Sequence, residues 1–276
     1  MAFTEIQWTW RRVPLPGGNV QIVKGYTYNP WWGCIKVSEE CKHCYAEDIA
    51  HHYGHDVWGP SVNTPRRLFK EKHWQEPLTW NRQAEKQGHR RSVFCASMAD
   101  VYEDHPLVTH EREKLWDLIA ATPWLNWLLL TKRPENVLKM SPWGRGVWPD
   151  NIWIGASVGL QERAEERIPI LLEIPAVVRF LSCEPLLGPV DLSPWISQLQ
   201  WVISGGESGS AARPMNLAWP KLLRDQCQEA HVPYFFKQVG GRYHTSGGRE
   251  LDGRTWDEMP PETPQESTRS LSTLCI

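Results

Sequence analysis

Three of the chain's seven cysteines lie close together, in the segment NPWWGCIKVSEECKHCYAE (29–47). Cys34, Cys41 and Cys44 form the pattern C-x6-C-x2-C, in which the last two thiolates can bind one metal centre and the first can close a loop around it. An iron–sulfur cluster held by only three cysteines leaves one iron open to a small molecule. A closed zinc site would need a fourth ligand, for which the nearby residues are His43, His51, His52 and His55.

The composition of the whole chain limits its class. It has 276 residues with 30 Lys and Arg against 32 Asp and Glu, so it lacks the bulk basicity of a nucleic-acid coat, although a local basic groove remains compatible with this balance. An odd number of cysteines, three of them clustered, favours free or metal-bound thiols over a disulfide framework. No apolar run reaches the length of a membrane span, and the first residues lack an export signal. We therefore expect a cytoplasmic protein without membrane partners.

Six apolar or β-branched runs predict buried parallel strands. Successive runs begin 23 to 34 residues apart, which suits one strand, one crossover helix and two loops in each unit. An earlier strand is expected at KGYTYNP (24–30). The six runs begin at Val93, Trp127, Ile152, Val178, Trp201 and Pro233.

Amphipathic segments between these runs predict the crossover helices. They are CYAEDIAHHYG (44–54), HEREKLWDLIAA (110–121), QERAEERIPILLEI (161–174) and AWPKLLRDQCQEA (218–230). The sequence therefore predicts an α/β fold: a partial (β/α)6-type TIM barrel with an extra C-terminal strand and extension. We expect one domain over residues 1–260 and a loosely held tail, rich in Pro, Ser and Thr, over 261–276.

Polar side chains follow the predicted strands. Any one of these residues could be a cap or turn residue. In a βα barrel, however, the carboxyl ends of all strands meet at one end of the barrel, its mouth, where barrel enzymes have their active sites. The same argument places the cysteine loop there. The polar residues at strand ends are Ser97, Asp100, Thr131, Lys132, Arg133, Ser157, Ser182, Glu184, Ser204, Glu207, Lys237 and Gln238.

Clustered cysteines after the first strand of a partial βα barrel resemble the radical S-adenosylmethionine (SAM) superfamily. The usual spacing there is C-x3-C-x2-C, so this chain has three additional residues in its first interval. The cysteine segment together with RFLSCEPLLGP, WVISGGESGSAARPM, FFKQVGG and LDGRTWDEMP is similar to a phage- and bacterium-borne family with a three-cysteine motif, assigned to that superfamily. This resemblance runs from about Gly25 to Pro260.

The resemblance implies a barrel of the radical SAM kind, with a [4Fe–4S] cluster on Cys34, Cys41 and Cys44 and SAM on the open iron. An electron from an external donor such as flavodoxin or ferredoxin would cleave SAM, and the resulting 5′-deoxyadenosyl radical would take a hydrogen atom from the substrate. If the gene is carried by a phage, the compartment is the cytoplasm of the bacterial host. The other cysteines, Cys95, Cys183, Cys227 and Cys275, are expected to lie outside the chemistry.

The resemblance also implies roles for individual residues. His43 would lie against the adenine, Ser97 and Asp100 would support the methionine amine, and Ser157 would meet the ribose. Ser182 and Glu184 are further cofactor-binding candidates, Gly205 would let the backbone approach a ligand, and Glu207 and Lys237 would face the substrate. The GGESG segment follows the sixth strand, so we do not transfer to it the role of the superfamily's Gly-Gly-Glu element, which follows the second strand.

The substrate is indicated by context and by a few cations and tryptophans. Phage association favours rearrangement, an isomerisation, of an amino-acid-modified thymine in DNA. Cations at Lys132, Arg133, Arg213 and Lys237 could hold phosphates or a carboxylate, and Trp31, Trp32 and Trp58 could stack on a base. The same cations could instead pair with carboxylates, and the tryptophans could wall the pocket. Two alternatives remain open: a radical SAM enzyme acting on a peptide or small metabolite, and a non-catalytic nucleic-acid-binding protein with a zinc loop.

Overall fold

Parallel strands alternating with helices make up most of this computed structural model, which describes residues 3–14, 17–243 and 245–261. The strands are β1 (Arg11–Pro14), β2 (Val20–Val23), β3 (Tyr26–Tyr28), β4 (Trp31–Trp32), β5 (Arg67–Leu68), β6 (Arg91–Cys95), β7 (Leu125–Thr131), β8 (Ile152–Ser157), β9 (Val178–Cys183), β10 (Trp201–Gly205) and β11 (Tyr234–Gln238). The α-helices are α1 (Tyr45–His52), α2 (Glu71–Trp74), α3 (Glu76–Gln87), α4 (Thr109–Ala120), α5 (Pro134–Met140), α6 (Gln161–Leu172) and α7 (Ala218–Glu229). Short 3₁₀-helices lie at Gln7–Thr9, Glu39–Cys41, Pro106–Val108 and Ile196–Gln198.

Seven parallel strands form one curled sheet in the order β11-β10-β9-β8-β7-β6-β3. Each strand lies beside its predecessor among the parallel strands, so the sheet winds in one direction, as in a TIM barrel, and does not double back as a doubly wound sheet would. β3 and β11 are its two edges, which makes it a half barrel. This confirms the predicted fold class, the six predicted strand runs and the earlier strand at KGYTYNP.

Several elements were not predicted from the sequence. β1 and β2 form an antiparallel hairpin before the sheet, and β4 and β5 form a two-residue antiparallel ribbon beside the cysteine loop. Strands this short carry too few residues to show a period. The tail predicted at 261–276 lies outside the described residues except for Pro261. None of the helices in the described part of the chain is both long and apolar enough to cross a membrane.

The two faces of the curled sheet differ in what they bury. One face packs against the helices and holds the larger apolar core. On the concave face, where residues i, i+2 and i+4 of a strand lie together, an apolar layer gives way to polar side chains further along β7, β8, β9 and β11. The apolar layer contains Phe94, Leu128, Trp153, Phe180, Trp201 and Phe235. The polar side chains two or four positions further along these strands are Lys132, Ser157, Ser182, Glu184 and Lys237.

The apolar layer is closed from below by Trp8, which lies in the first 3₁₀-helix. Its ring is 4.5 Å from that of Phe94 and 6.2 Å from that of Trp201, measured between centroids. Gly155 makes room in the same layer, because a Cβ at this position would lie 2.4 Å from the ring of Phe180. The interior of the half barrel is therefore a packed floor with an open polar mouth.

Replacing Gly155 with alanine should overpack this floor and lower the free energy of unfolding by about 1–3 kcal/mol. The matched control is Gly188→Ala, where the new Cβ would meet only the flexible end of Leu160, at 3.1 Å, and the cost should be about 0.5 kcal/mol or less. Denaturant unfolding of the two variants measures both values. Equal stability of the two variants would contradict the packing described for the floor.

Candidate active site at the mouth of the half barrel

One cavity of about 170 Å³ opens at the carboxyl ends of the strands, and Cys34, Cys41 and Cys44 all line it. Trp8 and Phe94 form part of its floor. The structure therefore brings the cysteine loop and the strand ends to one place, as the sequence predicted. The other predicted site residues that line this cavity are Ser97, Asp100, Ser157, Ser182, Glu184 and Lys237.

Three predicted site residues do not line the cavity. His43 is half-buried outside it. Gly205 lies behind the lining, where a Cβ would come within 2.9 Å of a Glu184 oxygen. Glu207 is buried and bound to Arg213. The proposed contacts of these three with cofactor or substrate stay predictions.

The backbone around the cysteines depends on a glycine and on two helix ends. Gly33 has φ +117° and donates its N–H to the carbonyl of Met98 at 3.0 Å, and a Cβ there would lie 2.4 Å from the carbonyl of Val57. Only glycine suits this position, so Cys34 enters the cavity directly after a close backbone contact. Cys41 ends the 3₁₀-helix Glu39–Cys41, and Cys44 precedes α1.

Arg133 connects Cys34 with the end of β7. Its Nη1 lies 3.7 Å from the Cys34 sulfur and 2.9 Å from an Asp100 oxygen, and its Nη2 donates to the carbonyl of Ile35 at 2.7 Å. Burial raises the pKa of the Cys34 thiol to about 12, against the opposing charge of Arg133. The arginine therefore favours the thiolate, the form that binds metal.

The Asp100 carboxylate is already occupied in this arrangement. It accepts hydrogen bonds from the hydroxyl of Thr131 at 2.8 Å and the backbone N–H of Lys132 at 3.0 Å, in addition to the Arg133 guanidinium. Its most direct effect is to orient Arg133. The role predicted for Asp100 at the methionine amine stays a prediction.

Two further arginines bind the cysteine loop. Arg167 of α6 forms an ion pair with Glu40 at 2.6 Å, and both side chains are at most 4% exposed. Arg213 donates to both carboxylate oxygens of Glu207, and its Nη2 reaches the carbonyl of Glu39 at 3.1 Å. Burial acts to raise the pKa of Glu207, but the hydrogen bonds and charge of Arg213 outweigh it, so that pKa is held below its usual value.

The four cations that the sequence proposed as anion-binding residues differ in their ion-pair partners. Arg133 and Arg213 pair with Asp100 and Glu207 as described, and Lys237 lies 3.0 Å from Glu184. Lys132 lines the cavity and donates to the Ser157 hydroxyl at 3.2 Å, and among the described residues it forms no ion pair with a carboxylate. Of these four cations, Lys132 is therefore the one most available to an anionic ligand.

The three tryptophans proposed for base stacking lie in different environments. Trp31 is fully buried in the core between the sheet and the helices. The ring of Trp32 is covered by the guanidinium of Arg67, 4.2 Å from the ring centroid. Trp58 lines the cavity and is 9% exposed, so it is the one of these three that could meet a ligand there.

Sequence reasoning missed two polar side chains of the cavity and one residue of its floor, Trp8. Lys36 lines it and pairs with Glu47 at 2.5 Å. Tyr45 also lines it, and its hydroxyl donates to the carbonyl of Ser97 at 3.1 Å. Both lie within two residues of a cysteine of the motif, and this proximity is the signal by which sequence reasoning could have found them. The fully buried Trp8 had no such signal, since only tertiary packing brings it under the cavity.

The donor set at the cavity is three thiols from one loop. Within the described residues, no group of three or more His, Cys, Asp or Glu side chains converges to hold a single metal ion. A tetrahedral zinc site requires that convergence. In a four-iron cluster each thiolate binds a different iron, so the three sulfurs need only surround a shared space.

A known family matches most of this chain. The match is to the family described as "Protein of unknown function (DUF5131)", and it covers residues 20–260. The chain belongs to the DUF5131 family. No curated protein matches this DUF5131 chain in sequence.

Three solved structures of spore photoproduct lyase variants have a similar chain path. A cysteine-to-serine variant is 12% identical with a TM-score of 0.43, over 66% of this chain and 55% of that one. A tyrosine-to-phenylalanine variant is 10% identical with a TM-score of 0.45, over 72% and 59%. A double variant with bound AdoMet and dinucleoside spore photoproduct is 11% identical with a TM-score of 0.42, over 75% and 61%. The DUF5131 chain thus spans less than two thirds of these proteins, and the likeness concerns chain path, not chemistry.

Replacing Glu207 with glutamine should lower the free energy of unfolding of this DUF5131 protein by about 1–3 kcal/mol at pH 7, because it weakens charge-assisted hydrogen bonds at a site only 4% exposed. The pKa of Glu207 is lowered in the folded protein. Its contribution to the free energy of unfolding is therefore present at neutral pH and is lost as the pH falls below the ordinary carboxyl pKa of about 4.3. Denaturant unfolding at pH 7 and pH 3.5 measures the difference. The exposed Glu166→Gln serves as a control with an effect of about 0–0.5 kcal/mol. A difference independent of pH would contradict this account of the Glu207–Arg213 pair.

Proposed function

We propose that this protein is a radical SAM enzyme that holds a [4Fe–4S] cluster on Cys34, Cys41 and Cys44 and SAM in the adjoining cavity. The observation that supports this most is that three cysteines of one loop line a single cavity at the carboxyl ends of parallel barrel strands. Three thiolates leave one iron of such a cluster without a protein ligand. When bound, the cluster and SAM supply reductive cleavage of a sulfonium bond and abstraction of a hydrogen atom.

The residues present fit these groups. The cavity walls carry both signs of charge, as a zwitterionic amino-acid moiety requires, and hydroxyls that suit a ribose. Trp8 and Phe94 close the floor against water, which protects a reactive site from side reactions. Arg133 lies next to the Cys34 sulfur and balances the negative charge of a thiolate.

Within this proposal the side chains of the mouth have separate tasks. Ser157 and Ser182 offer hydroxyls to the nucleoside part of the cofactor. Glu184, whose carboxylate accepts from Ser182 at 3.0 Å and pairs with Lys237, orients that edge of the site. Tyr45, directly after Cys44, lines the cavity. Its aromatic ring would make the contact with the adenine that the sequence analysis had assigned to His43.

For the substrate we propose an amino-acid-modified thymine in DNA, whose substituent is rearranged. Lys132 supports this, because it has no carboxylate partner among the residues that the structure describes and can therefore take a carboxylate or phosphate, and Trp58 offers an aromatic wall. A nucleotide inside duplex DNA would have to be extruded to reach the cavity. The electron would come from an external carrier such as flavodoxin or ferredoxin, and the protein would work in a bacterial cytoplasm.

Replacing any one of Cys34, Cys41 or Cys44 with alanine should reduce cluster content and SAM cleavage to less than a tenth of the wild-type values, since each thiolate binds its own iron. Anaerobic reconstitution followed by iron and sulfide analysis, and release of 5′-deoxyadenosine with dithionite, measure both. Variants with wild-type cleavage would reject the assignment, and one zinc per chain in place of about four irons would favour a zinc loop.

The controls are Cys95→Ala and Cys183→Ala, whose thiols are fully buried in the apolar core away from the cavity. Both variants should keep the wild-type iron content per folded chain. Loss of iron in these variants would mean that cluster content reports general stability and not ligation.

Replacing Lys132 with methionine should weaken binding of a modified single-stranded DNA at least about tenfold, and the wild-type affinity should fall as salt rises. Lys139→Met, at an exposed site of α5 outside the cavity, is the control. Fluorescence anisotropy at two salt concentrations measures the affinities. Equal affinity of both variants, or absence of salt-dependent binding by the wild type, would favour a peptide or a small metabolite as substrate.

A further inference from the structure

The segment between the first two cysteines contains a carboxylate that is buried away from the cavity. We propose that Glu40 is a positioning residue, which with Arg167 sets the cysteine loop in its cluster-binding arrangement before any cluster is present. The cluster part of this inference rests on the proposed function. The placement of the thiols in the metal-free protein does not rest on the proposed function.

The contacts of Glu40 reach from the loop into the body of the barrel. Its Oε2 is 2.6 Å from Nη1 of Arg167 and accepts from the hydroxyl of Ser38 at 2.8 Å. Its Oε1 accepts from the backbone N–H of Gly159 at 2.5 Å. Arg167 in turn donates to the carbonyl of Ser157 at 2.8 Å. Both carboxylate oxygens are therefore bound, by groups 119 and 127 residues distant in sequence as well as by Ser38.

This geometry transmits position to two parts of the site. Glu40 directly precedes Cys41 within one 3₁₀-turn, Glu39–Cys41, so a fixed carboxylate fixes the backbone that carries the Cys41 thiol. Ser157, at the other end of the connection, presents its hydroxyl to the cavity. The loop is thus held in register with β8, whose carboxyl end contributes to the same cavity.

The buried pair also accounts for the long first interval of the cysteine pattern. Six residues separate Cys34 from Cys41, and the last of them is Glu40. The carbonyl of Ile35 binds Arg133, and the carboxylate of Glu40 binds Arg167. The interval therefore has length enough to follow the cavity wall as far as Lys36, leave the cavity for a charged contact with α6, and return to it at Cys41.

Measurement of thiol reactivity in the metal-free, full-length protein tests the positioning directly. In Glu40→Gln and Arg167→Gln, labelling of Cys41 and Cys44 by a maleimide should become at least fivefold faster than in the wild type, whereas labelling of Cys95 should stay unchanged. Peptide mass spectrometry assigns the sites. Glu166→Gln, which alters an exposed pair on the same helix, is the matched control and should match the wild type.

Each single variant leaves one buried partner without its counterpart and could impair folding. The double variant Glu40→Gln/Arg167→Gln removes both charges and keeps two amide side chains, so it tests the connection without a buried lone charge. It should also label faster, and its cluster should be lost to a chelator at least fivefold faster after reconstitution. If the double variant is labelled at the wild-type rate, the inference is overturned. If the wild type itself does not take up iron, the proposed function is rejected, but the labelling result still stands.

Discussion

The site depends on the docking of one loop against the strand ends through three arginine–carboxylate pairs. Arg133 with Asp100 binds the start of the loop, Arg167 binds Glu40 in its middle, and Arg213 with Glu207 binds the carbonyl of Glu39. Exposed ion pairs stabilise little, but buried pairs with further hydrogen bonds strongly disfavour other arrangements, because breaking one leaves an uncompensated charge. Two of these pairs, Arg167–Glu40 and Arg213–Glu207, lie outside the lining of the cavity, whereas Arg133 and Asp100 are part of it.

The alternation of side chains along the strands determines what this loop faces. On the concave face, an apolar layer gives way to hydroxyls and charges at the carboxyl ends of β7, β8, β9 and β11, so that one sheet supplies both an apolar floor and a polar mouth. Gly155 and Trp8 complete the floor, one by leaving space for Phe180 and the other by filling the open end. A cavity that combines thiols, hydroxyls and charges above an apolar floor suits reactive chemistry that must exclude water.

The arrangement also redistributes roles among residues that the sequence treated alike. Asp100 and Glu207 both looked like ligand-binding carboxylates at strand ends. In the structure each is bound to an arginine that contacts the cysteine loop. Lys132, by contrast, was one of four similar cations, and among the described residues it is the one of the four without a carboxylate partner. Sequence position indicates which residues reach the mouth, whereas their pairing decides which remain available to a ligand.

The sequence by itself determined the parallel strands, their order around a barrel and the meeting of Cys34, Cys41 and Cys44 with the strand ends. These follow from local apolar runs, their regular spacing and the geometry of consecutive βα units. Only the tertiary structure decided that Trp8 forms the floor, that Tyr45 and not His43 lines the cavity, and that Glu40 meets Arg167. Some of these contacts join residues far apart in the chain, and others depend on the direction of a single side chain in a loop. The spacing and periodicity of residues in the sequence predict neither.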